Sequence, residues 1–263
     1  MKAQGLRTGV LSLLMLVFLM VFAVRTYADT IVVRADSWPP YNADPAASEP
    51  GYVVEILKAV FEPQGHKIDY QTMPWTRAVA DMMEGKVDAI IGASHADAPD
   101  ALYPAESMGV ILNAFFVKKD STWKYSGVDS LKTIKLGVID GYPYDDDGAI
   151  DKYIKAGADP EVQVMTGDGS LERNIKKLQA GRLDAVVENE IVMEATLKNM
   201  GIAAGEIVNA GKADEQKDLF VAFTPNKDTT KKYSQLWDEG IKKLRESGEL
   251  KKILDRYSVK DWR

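Results

Sequence analysis

Polar side chains follow two short apolar runs in different halves of the chain. Ser94, His95 and Asp97 come soon after the first run, and Glu188 and Asn189 come directly after the second. Hydroxyl, imidazole, amide and carboxyl groups can hold a polar solute by hydrogen bonds, and several of them can exchange protons with it. A histidine at the end of a strand is more often a hydrogen-bonding or structural residue than a base. The pattern therefore predicts two polar patches that contact a small molecule.

The second patch has two possible orientations. Successive side chains of a strand point to opposite faces, so Glu188 and Glu190 share one face and Asn189 lies on the other. Only one of these sets can face a ligand, and both choices stay open at this point.

Aromatic side chains could form the walls of a binding pocket, since ligand pockets are commonly lined by them. Trp38 and Tyr41 lie in a proline-rich loop, where a functional role is more frequent than in a core strand. Trp75 also fits the apolar stripe of a helix, so core packing is the competing interpretation for it. Tyr142 follows Gly141 beyond a predicted strand, at the matching edge of the second half.

The elements that position these groups occur twice. The run Gly85–Ile91 returns as Gly181–Val187, with the glycine, basic, aspartate and alanine positions matched, and apolar residues with helical spacing precede each run. Each copy predicts a helix stopped by glycine, a tight turn and a buried parallel strand. Because ligands of open α/β sheets bind beyond the carboxyl ends of strands, two copies predict two α/β lobes that face a shared cleft.

The rest of the chain alternates predicted strands and helices, which is typical of mostly parallel sheets covered by helices. Crossing strands are predicted near Ala114–Lys118 and Leu219–Phe223. We therefore expect a first lobe over 29–117, a second over 118–219, and a return to the first over 220–263. Two crossing segments would act as a hinge around a ligand.

Residues 1–28 are predicted to be a secretory signal peptide. A basic start precedes the apolar stretch Val10–Val24, and the small residues Thr26 and Ala28 suit a cleavage site. The stretch is shorter than the roughly 20 residues that span a bilayer, so a retained membrane anchor is the weaker alternative. We expect cleavage near Ala28 and a soluble, periplasmic product that begins at Asp29.

Charge and composition exclude several classes of function. The chain has 33 Lys and Arg against 39 Asp and Glu, and the predicted signal peptide holds three of the basic residues and no acid, which leaves a net charge of −9. An acidic balance disfavours nucleic acid and anionic lipid as partners. With no cysteine and two histidines, we expect no metal site and no cofactor, and we expect a monomer. The acidic run Asp145–Asp147 lacks the spacing of a calcium loop and is expected to precede a helix.

Several motifs occur in order along the chain, namely Trp38-Pro39-Pro40-Tyr41, Gly51-Tyr52, Trp75–Ile91, Leu136–Gly141, Ala180–Val187 and Glu246–Leu250. Together they resemble the family 3 extracellular solute-binding proteins, the periplasmic receptors of polar amino acid ABC transporters. The resemblance implies a type II periplasmic-binding-protein fold whose lobes close on a small solute. It also implies the membrane permease of an ABC transporter as a partner.

Both charged anchors that this family uses for an amino acid are missing from the sequence. The family usually places an arginine beyond the first strand unit to clamp an α-carboxylate, and that position falls here near Asp100. It usually places an aspartate after the second unit to hold the α-ammonium, and that position is here Asn189. Arg77, close to the start of the helix after Trp75, could replace the arginine if it lies on the cleft side. A solvated surface arginine is the competing interpretation.

The leading hypothesis is a binding protein, not an enzyme, that captures a small polar solute for an ABC transporter or for a signalling receptor. The solute would be an amino acid or a related small anion. The alternative is a periplasmic enzyme on the same scaffold, similar to a cyclohexadienyl dehydratase, with Glu188 or Glu190 as its acid. The predicted ligand contacts are Trp38, Tyr41, Trp75, Arg77, Ser94, His95, Asp97, Tyr142, Glu188 and Asn189.

Overall fold

The computed structural model describes residues 29–157 and 162–263. The predicted signal peptide, with its cleavage site near Ala28, lies outside these residues. Across the described ranges, no helix is both long and apolar enough to cross a membrane.

Strands and helices alternate along most of the chain. The strands are β1 (Thr30–Ala35), β2 (Lys67–Thr72), β3 (Ala89–Ala93), β4 (Gly109–Ile111), β5 (Asn113–Lys118), β6 (Leu136–Ile139), β7 (Val162–Met165), β8 (Ala185–Asn189), β9 (Ile207–Lys212) and β10 (Lys217–Phe223). The helices are α1 (Tyr52–Phe61), α2 (Trp75–Met83), α3 (Ala149–Lys155), α4 (Ser170–Gln179), α5 (Glu190–Asn199), α6 (Thr229–Glu246) and α7 (Glu249–Arg256), with short 3-10 turns at Glu62–Gln64 and Val128–Thr133.

The strands form two separate five-stranded sheets. The first has the order β2-β1-β3-β10-β4 and the second the order β7-β6-β8-β5-β9. In each sheet three strands are parallel, and the strands that enter or leave the sheet at the crossings are antiparallel to their neighbours. The carboxyl ends of the parallel strands therefore share one edge in each sheet, where polar loops can meet.

The repeated unit predicted from the sequence is present once in each sheet, as α2–β3 and as α4–β8. Gly85 and Gly181 end the two helices with positive φ angles of 76° and 67°, which glycine adopts without strain. The matched aspartates each accept a backbone hydrogen bond in the two copies. An Asp88 carboxylate oxygen accepts the N–H of Val32 at 2.7 Å, and an Asp184 oxygen accepts the N–H of Lys135 at 2.8 Å. Each aspartate therefore ties its turn to the neighbouring parallel strand.

Helix α6 illustrates how apolar spacing produces the covering layer. Tyr233, Trp237 and Ile241 recur every fourth residue and are all buried, the arrangement of an amphipathic helix that covers a sheet. This stripe packs α6 against α1 on the first sheet. The lobe that carries the amino-terminal strands is therefore completed by the last helices of the chain.

The boundaries between the lobes lie a few residues away from those predicted from the sequence. Strand β5 pairs with β8 and β9, so residues 113–117 belong to the second sheet and not to the first lobe. Strand β10 pairs with β3 and β4, so residues 217–219 belong to the first sheet. The crossings fall at Leu112 and at 213–216. The sequence indicated both strands, but the partner of a strand is decided by residues far away along the chain.

Candidate functional site

A cavity opens between the two sheets, at the carboxyl ends of β1, β3 and β6. Residues of both sheets and of their loops line it. The first sheet and its loops contribute Asp36, Trp38, Trp75, Ile91, Gly92, Ser94, Asp97, Ile111, Lys217 and Leu219. The second sheet and the crossing contribute Asn113, Tyr142, Pro143, Tyr144, Asp146, Asp214 and Glu215.

Aromatic rings form much of the cavity wall. Trp38 lies in a tight turn after β1, closed by the hydrogen bond from the Tyr41 N–H to the Trp38 carbonyl oxygen at 3.0 Å. Its ring stacks on Tyr41, with ring centroids 4.5 Å apart and planes 16° apart. Tyr142 stands edge-on to Trp38 and to Trp75, at centroid distances of 6.3 and 6.4 Å. The cavity therefore presents two indoles from the first lobe and the phenols of Tyr142 and Tyr144 from the second.

Asp97 is fixed in the wall by three donors. Its Oδ2 accepts the N–H of Ser94 at 2.7 Å and the hydroxyl of Ser94 at 2.8 Å, and its Oδ1 accepts the indole N–H of Trp75 at 3.1 Å. Burial nevertheless raises the pKa of Asp97 to about 6, because the charged form loses hydration. A cation beside Asp97 would restore the lost stabilisation of its charge.

Asp36 links the lobes at the floor of the cavity. It follows β1 directly and accepts a hydrogen bond from the Tyr142 hydroxyl. Burial raises the pKa of Asp36 to about 6 and raises the pKa of Tyr142 well above its usual range, so the phenol keeps its proton and donates it. Asp36 is thus a second carboxyl group that is short of compensating positive charge.

Glu188 makes a further contact between the lobes, but behind the wall. Its Oε1 accepts the indole N–H of Trp38 at 3.0 Å and the N–H of Asn189 at 2.8 Å. Its Oε2 has no hydrogen-bond partner among the residues that the structure describes, and Glu188 is fully buried. Burial raises the pKa of Glu188 to about 8, so the side chain holds a proton at neutral pH.

Lys217 is the single basic residue among the described residues that line the cavity. Its Nζ lies 2.7 Å from Asp146 Oδ2 and also pairs with Asp214. The positive charge is therefore neutralised by two carboxylates of the protein before any ligand arrives. With Asp36 and Asp97 added, the lining is acidic.

Five of the predicted ligand contacts line this cavity, namely Trp38, Trp75, Ser94, Asp97 and Tyr142. Three others, Tyr41, Glu188 and Asn189, are buried behind it. Asn189 ends β8 and caps α5, since its side-chain oxygen accepts the N–H of Ile191 at 3.0 Å. Because the helix begins at Glu190, strand alternation stops there, and Glu190 instead binds the Asn209 side chain at 2.6 Å. The sequence left open whether Glu188 with Glu190 or Asn189 faces the ligand, but none of these three residues lines the cavity.

The expectation that Arg77 reaches the cleft is wrong. Its side chain is 70% exposed and its Nε lies 3.5 Å from Asp81, one turn further along α2. Residues two apart on a helix point about 200° away from each other. Since Trp75 faces the cavity, Arg77 faces away from it.

His95 is the other predicted contact that the structure places elsewhere. It is exposed and stacks on Tyr103, with ring centroids 4.1 Å apart, and stands edge-on to Phe220. It does not line the cavity. Aromatic packing therefore holds the imidazole outside the cavity lining.

Several lining residues were missed by the sequence analysis. Asp36 directly follows β1, so the rule about carboxyl ends of strands that selected Ser94 would have selected it too. Asp146 belongs to the acidic run, whose neighbour Asp145 accepts the N–H of Ile150 at 2.8 Å at the start of α3. Lys217 gave no signal, because its place in the cavity follows from the path of the crossing.

The chain belongs to the bacterial extracellular solute-binding proteins, family 3, whose family model matches residues 30–260. It is similar to the arginine-binding extracellular protein ArtP of Bacillus subtilis (strain 168), 24% identical over 236 residues, which cover 86% of this chain and 85% of the relative. A probable histidine-binding protein of Neisseria gonorrhoeae is 23% identical over 234 residues, with 88% and 83% covered.

Solved structures show the same fold. A histidine kinase sensor domain with similarity to periplasmic binding proteins has a TM-score of 0.71 and 20% identity, covering 89% of this chain and 97% of that one. The arginine-, lysine-, histidine-binding protein ArtJ of Geobacillus stearothermophilus has a TM-score of 0.69 and 18% identity, covering 87% and 94%. The family resemblance, the two-lobed α/β fold and the solute-binding function predicted from the sequence are confirmed.

Proposed function

We propose that the chain captures a small cationic solute in the cavity between its lobes and delivers it, as a periplasmic monomer, to the permease of an ABC transporter. One observation carries the choice of a cation. The cavity combines aromatic faces with the carboxyl groups of Asp36 and Asp97, while its single lining base among the described residues, Lys217, is already paired twice. This replaces the small anion considered from the sequence.

The physical chemistry of the wall favours positive charge. A cation held over the face of an indole is attracted by about 0.5–2 kcal/mol, depending on how far water is excluded. Trp38 and Trp75 both line the cavity and are nine-tenths or more buried, so water is largely excluded around their rings. The carboxyl groups of Asp36 and Asp97 would gain from a neighbouring cation, which favours their charged forms.

The names of the relatives support a positively charged ligand. Arginine is a cation at neutral pH, and histidine becomes one when its imidazole is protonated. At 23–24% identity, the relatives support this class of ligand for the present chain without specifying which one it takes.

The contacts between the lobes support a closing mechanism. Trp38 reaches Glu188, and Tyr142 reaches Asp36, so two aromatic donors of opposite lobes are bound by acids across the cleft. We propose that a ligand which touches both lobes favours this closed arrangement over an open one. The same closure would serve a permease or a signalling receptor.

We further propose that the chain is a binding protein and not an enzyme. Glu188 and Glu190 were the acids considered for catalysis, and neither lines the cavity. The curated relatives are named as binding proteins. Turnover of prephenate by the purified protein would contradict this part of the proposal.

A thermal-shift screen followed by calorimetry tests the choice of a cation. The panel holds cations (arginine, lysine, histidine, agmatine, cadaverine, histamine), neutral analogues (citrulline, glutamine) and anions (glutamate, succinate). A bound ligand raises the melting temperature by mass action. We expect stabilisation by members of the cationic group alone. Stabilisation by an anion, without any by a cation, would contradict the proposal.

A further inference from the structure

Resting on the proposed capture of a cation, we infer that the ligand is an amine or guanidine that carries no carboxylate beside its charged groups. The inference concerns the groups that could receive a ligand carboxylate. In this protein, the donors of Ser94 and Trp75, three backbone donors after β6 and the ammonium of Lys217 are occupied by carboxylates of the chain itself.

On the first lobe, Asp97 occupies the donors that follow β3. Its two oxygens take the amide and hydroxyl of Ser94 and the indole N–H of Trp75, within 2.7–3.1 Å. All three residues line the cavity. A ligand carboxylate that approached this corner would find no vacant donor among these groups, and it would meet a fixed carboxylate instead.

On the second lobe, Asp151 likewise occupies hydrogen-bond donors, in the loop that follows β6. Its oxygens accept the N–H groups of Tyr144 at 2.8 Å, Asp145 at 3.3 Å and Asp147 at 2.9 Å. Asp151 is buried, with 3% of its surface exposed. These three backbone donors of the loop that follows β6 are therefore satisfied inside the protein.

The basic residue of the cavity lining, Lys217, is occupied as well. Lys217 is shared between Asp146 and Asp214, and a ligand carboxylate would have to displace one of them. A carboxylate that enters a partly dehydrated cavity without a donor loses its hydration and gains nothing in exchange. Repulsion from Asp36 and Asp97 adds to that cost. An ammonium or guanidinium meets the opposite situation, since the same two groups attract it.

Matched pairs of compounds test the inference by isothermal titration calorimetry. Agmatine and arginine, cadaverine and lysine, and histamine and histidine differ within each pair by one carboxylate. For the pair that binds, we expect the amine to bind about tenfold or more tightly than the amino acid. Arginine methyl ester keeps bulk next to the amine but removes the charge, and we expect it to bind more tightly than arginine.

The outcomes separate this inference from the proposed function. If an amino acid binds as tightly as its amine, the inference is wrong, whereas the capture of cations stands. If the ester binds no better than arginine, size and not charge excludes the carboxylate, and the inference is also wrong. If no member of any pair binds, or if only succinate or glutamate binds, both proposals fail.

Asp97→Ser provides the matching test on the protein, because it frees the Ser94 amide. The amine and the amino acid of a pair both lose the attraction of their cationic group to Asp97. The ratio of their affinities therefore reports only the effect of the ligand carboxylate. We expect the preference for the amine to fall about fivefold or more, and Asp100→Ser, on the exposed part of the same loop, to keep the parental ratio. An unchanged ratio in a folded Asp97→Ser variant would overturn the assigned role of Asp97.

Discussion

The two copies of the helix–glycine–strand unit end in opposite ways. After β3, Ser94 and Asp97 turn into the cavity and form part of its wall. After β8, Glu188 is buried under Trp38, and Asn189 caps the helix that follows. The repeat therefore sets where a strand ends, whereas the next few residues decide whether its polar groups meet a ligand or hold the lobes together. The variants below test this division, from the largest expected effect to the smallest.

Glu188 should show the largest effect, on stability and not on affinity. Burial raises the pKa of Glu188 from its ordinary value of about 4.5 to about 8, so the folded state holds the proton to higher pH than the unfolded chain. The contribution of Glu188 is thus complete below pH 4.5 and is lost as the pH rises towards 8. At about 1.4 kcal/mol per pKa unit, the loss amounts to a few kcal/mol.

Glu188→Gln should remove that loss, because glutamine resembles the protonated acid. Urea unfolding from pH 5 to pH 8 should show a flatter profile for Glu188→Gln than for the parent, with the greatest gain at pH 8. Glu190→Gln, on the surface of α5, should follow the parent. Parallel profiles for parent and Glu188→Gln would contradict the assignment.

Asp97 should govern affinity in the first copy. Asp97→Asn removes a charge that would contact the cation, a contact worth roughly 1.5–3 kcal/mol, so affinity for the best amine of the panel should fall about tenfold or more. Because burial raises the pKa of Asp97 to about 6, binding by the parent should also strengthen between pH 5 and pH 7. Asp100→Asn is the control, and calorimetry is the measurement. Equal affinities for parent and Asp97→Asn would place the cation elsewhere.

The matched aspartates of the two turns should differ in their contribution to stability. Asp88 is buried and binds Lys227 at 2.7 Å in addition to the Val32 amide, whereas Asp184 is exposed. Replacement by alanine should lower the free energy of unfolding by about 2 kcal/mol at Asp88 and by about 0.5–1 kcal/mol at Asp184. Denaturant unfolding of both variants measures the difference. Equal losses would show that burial does not distinguish the two turns.

Arg77 should have the smallest effect. Its side chain is exposed, lies outside the cavity and pairs with Asp81, so Arg77→Ala should bind the best amine as the parent does. Arg182→Ala, in the exposed turn of the second copy, serves as the reference. A clear loss of affinity in Arg77→Ala alone would contradict the placement of Arg77 outside the cavity.

Much of the fold could be predicted, because it depends on local patterns. Alternating elements, the repeated turn with Gly85 and Gly181, and the stripe on α6 all follow from residue spacing. The limits between the lobes could not be fixed, since strand β5 takes its partners from β8 and β9, which come long after it in the chain.

The site was only partly predictable. The carboxyl ends of the predicted strands indicated where the site lies. The helical period alone shows that Trp75 and Arg77 point in opposite directions. By contrast, no local sequence pattern indicates that Glu188 accepts a hydrogen bond from Trp38 of the other lobe. Nor does one indicate that Lys217, next to the crossing, lines the cavity. Those facts depend on how the two lobes meet.

A crystal structure with the tightest-binding compound of the panel, whatever its charge, tests the central claim most directly. We expect a positively charged nitrogen of the ligand against Asp36 or Asp97, with Trp38 or Trp75 alongside it, and no carboxylate of the ligand in contact with Lys217. A ligand carboxylate seated at Lys217 or at the Ser94 amide, or a compound bound outside the cavity, would contradict the account.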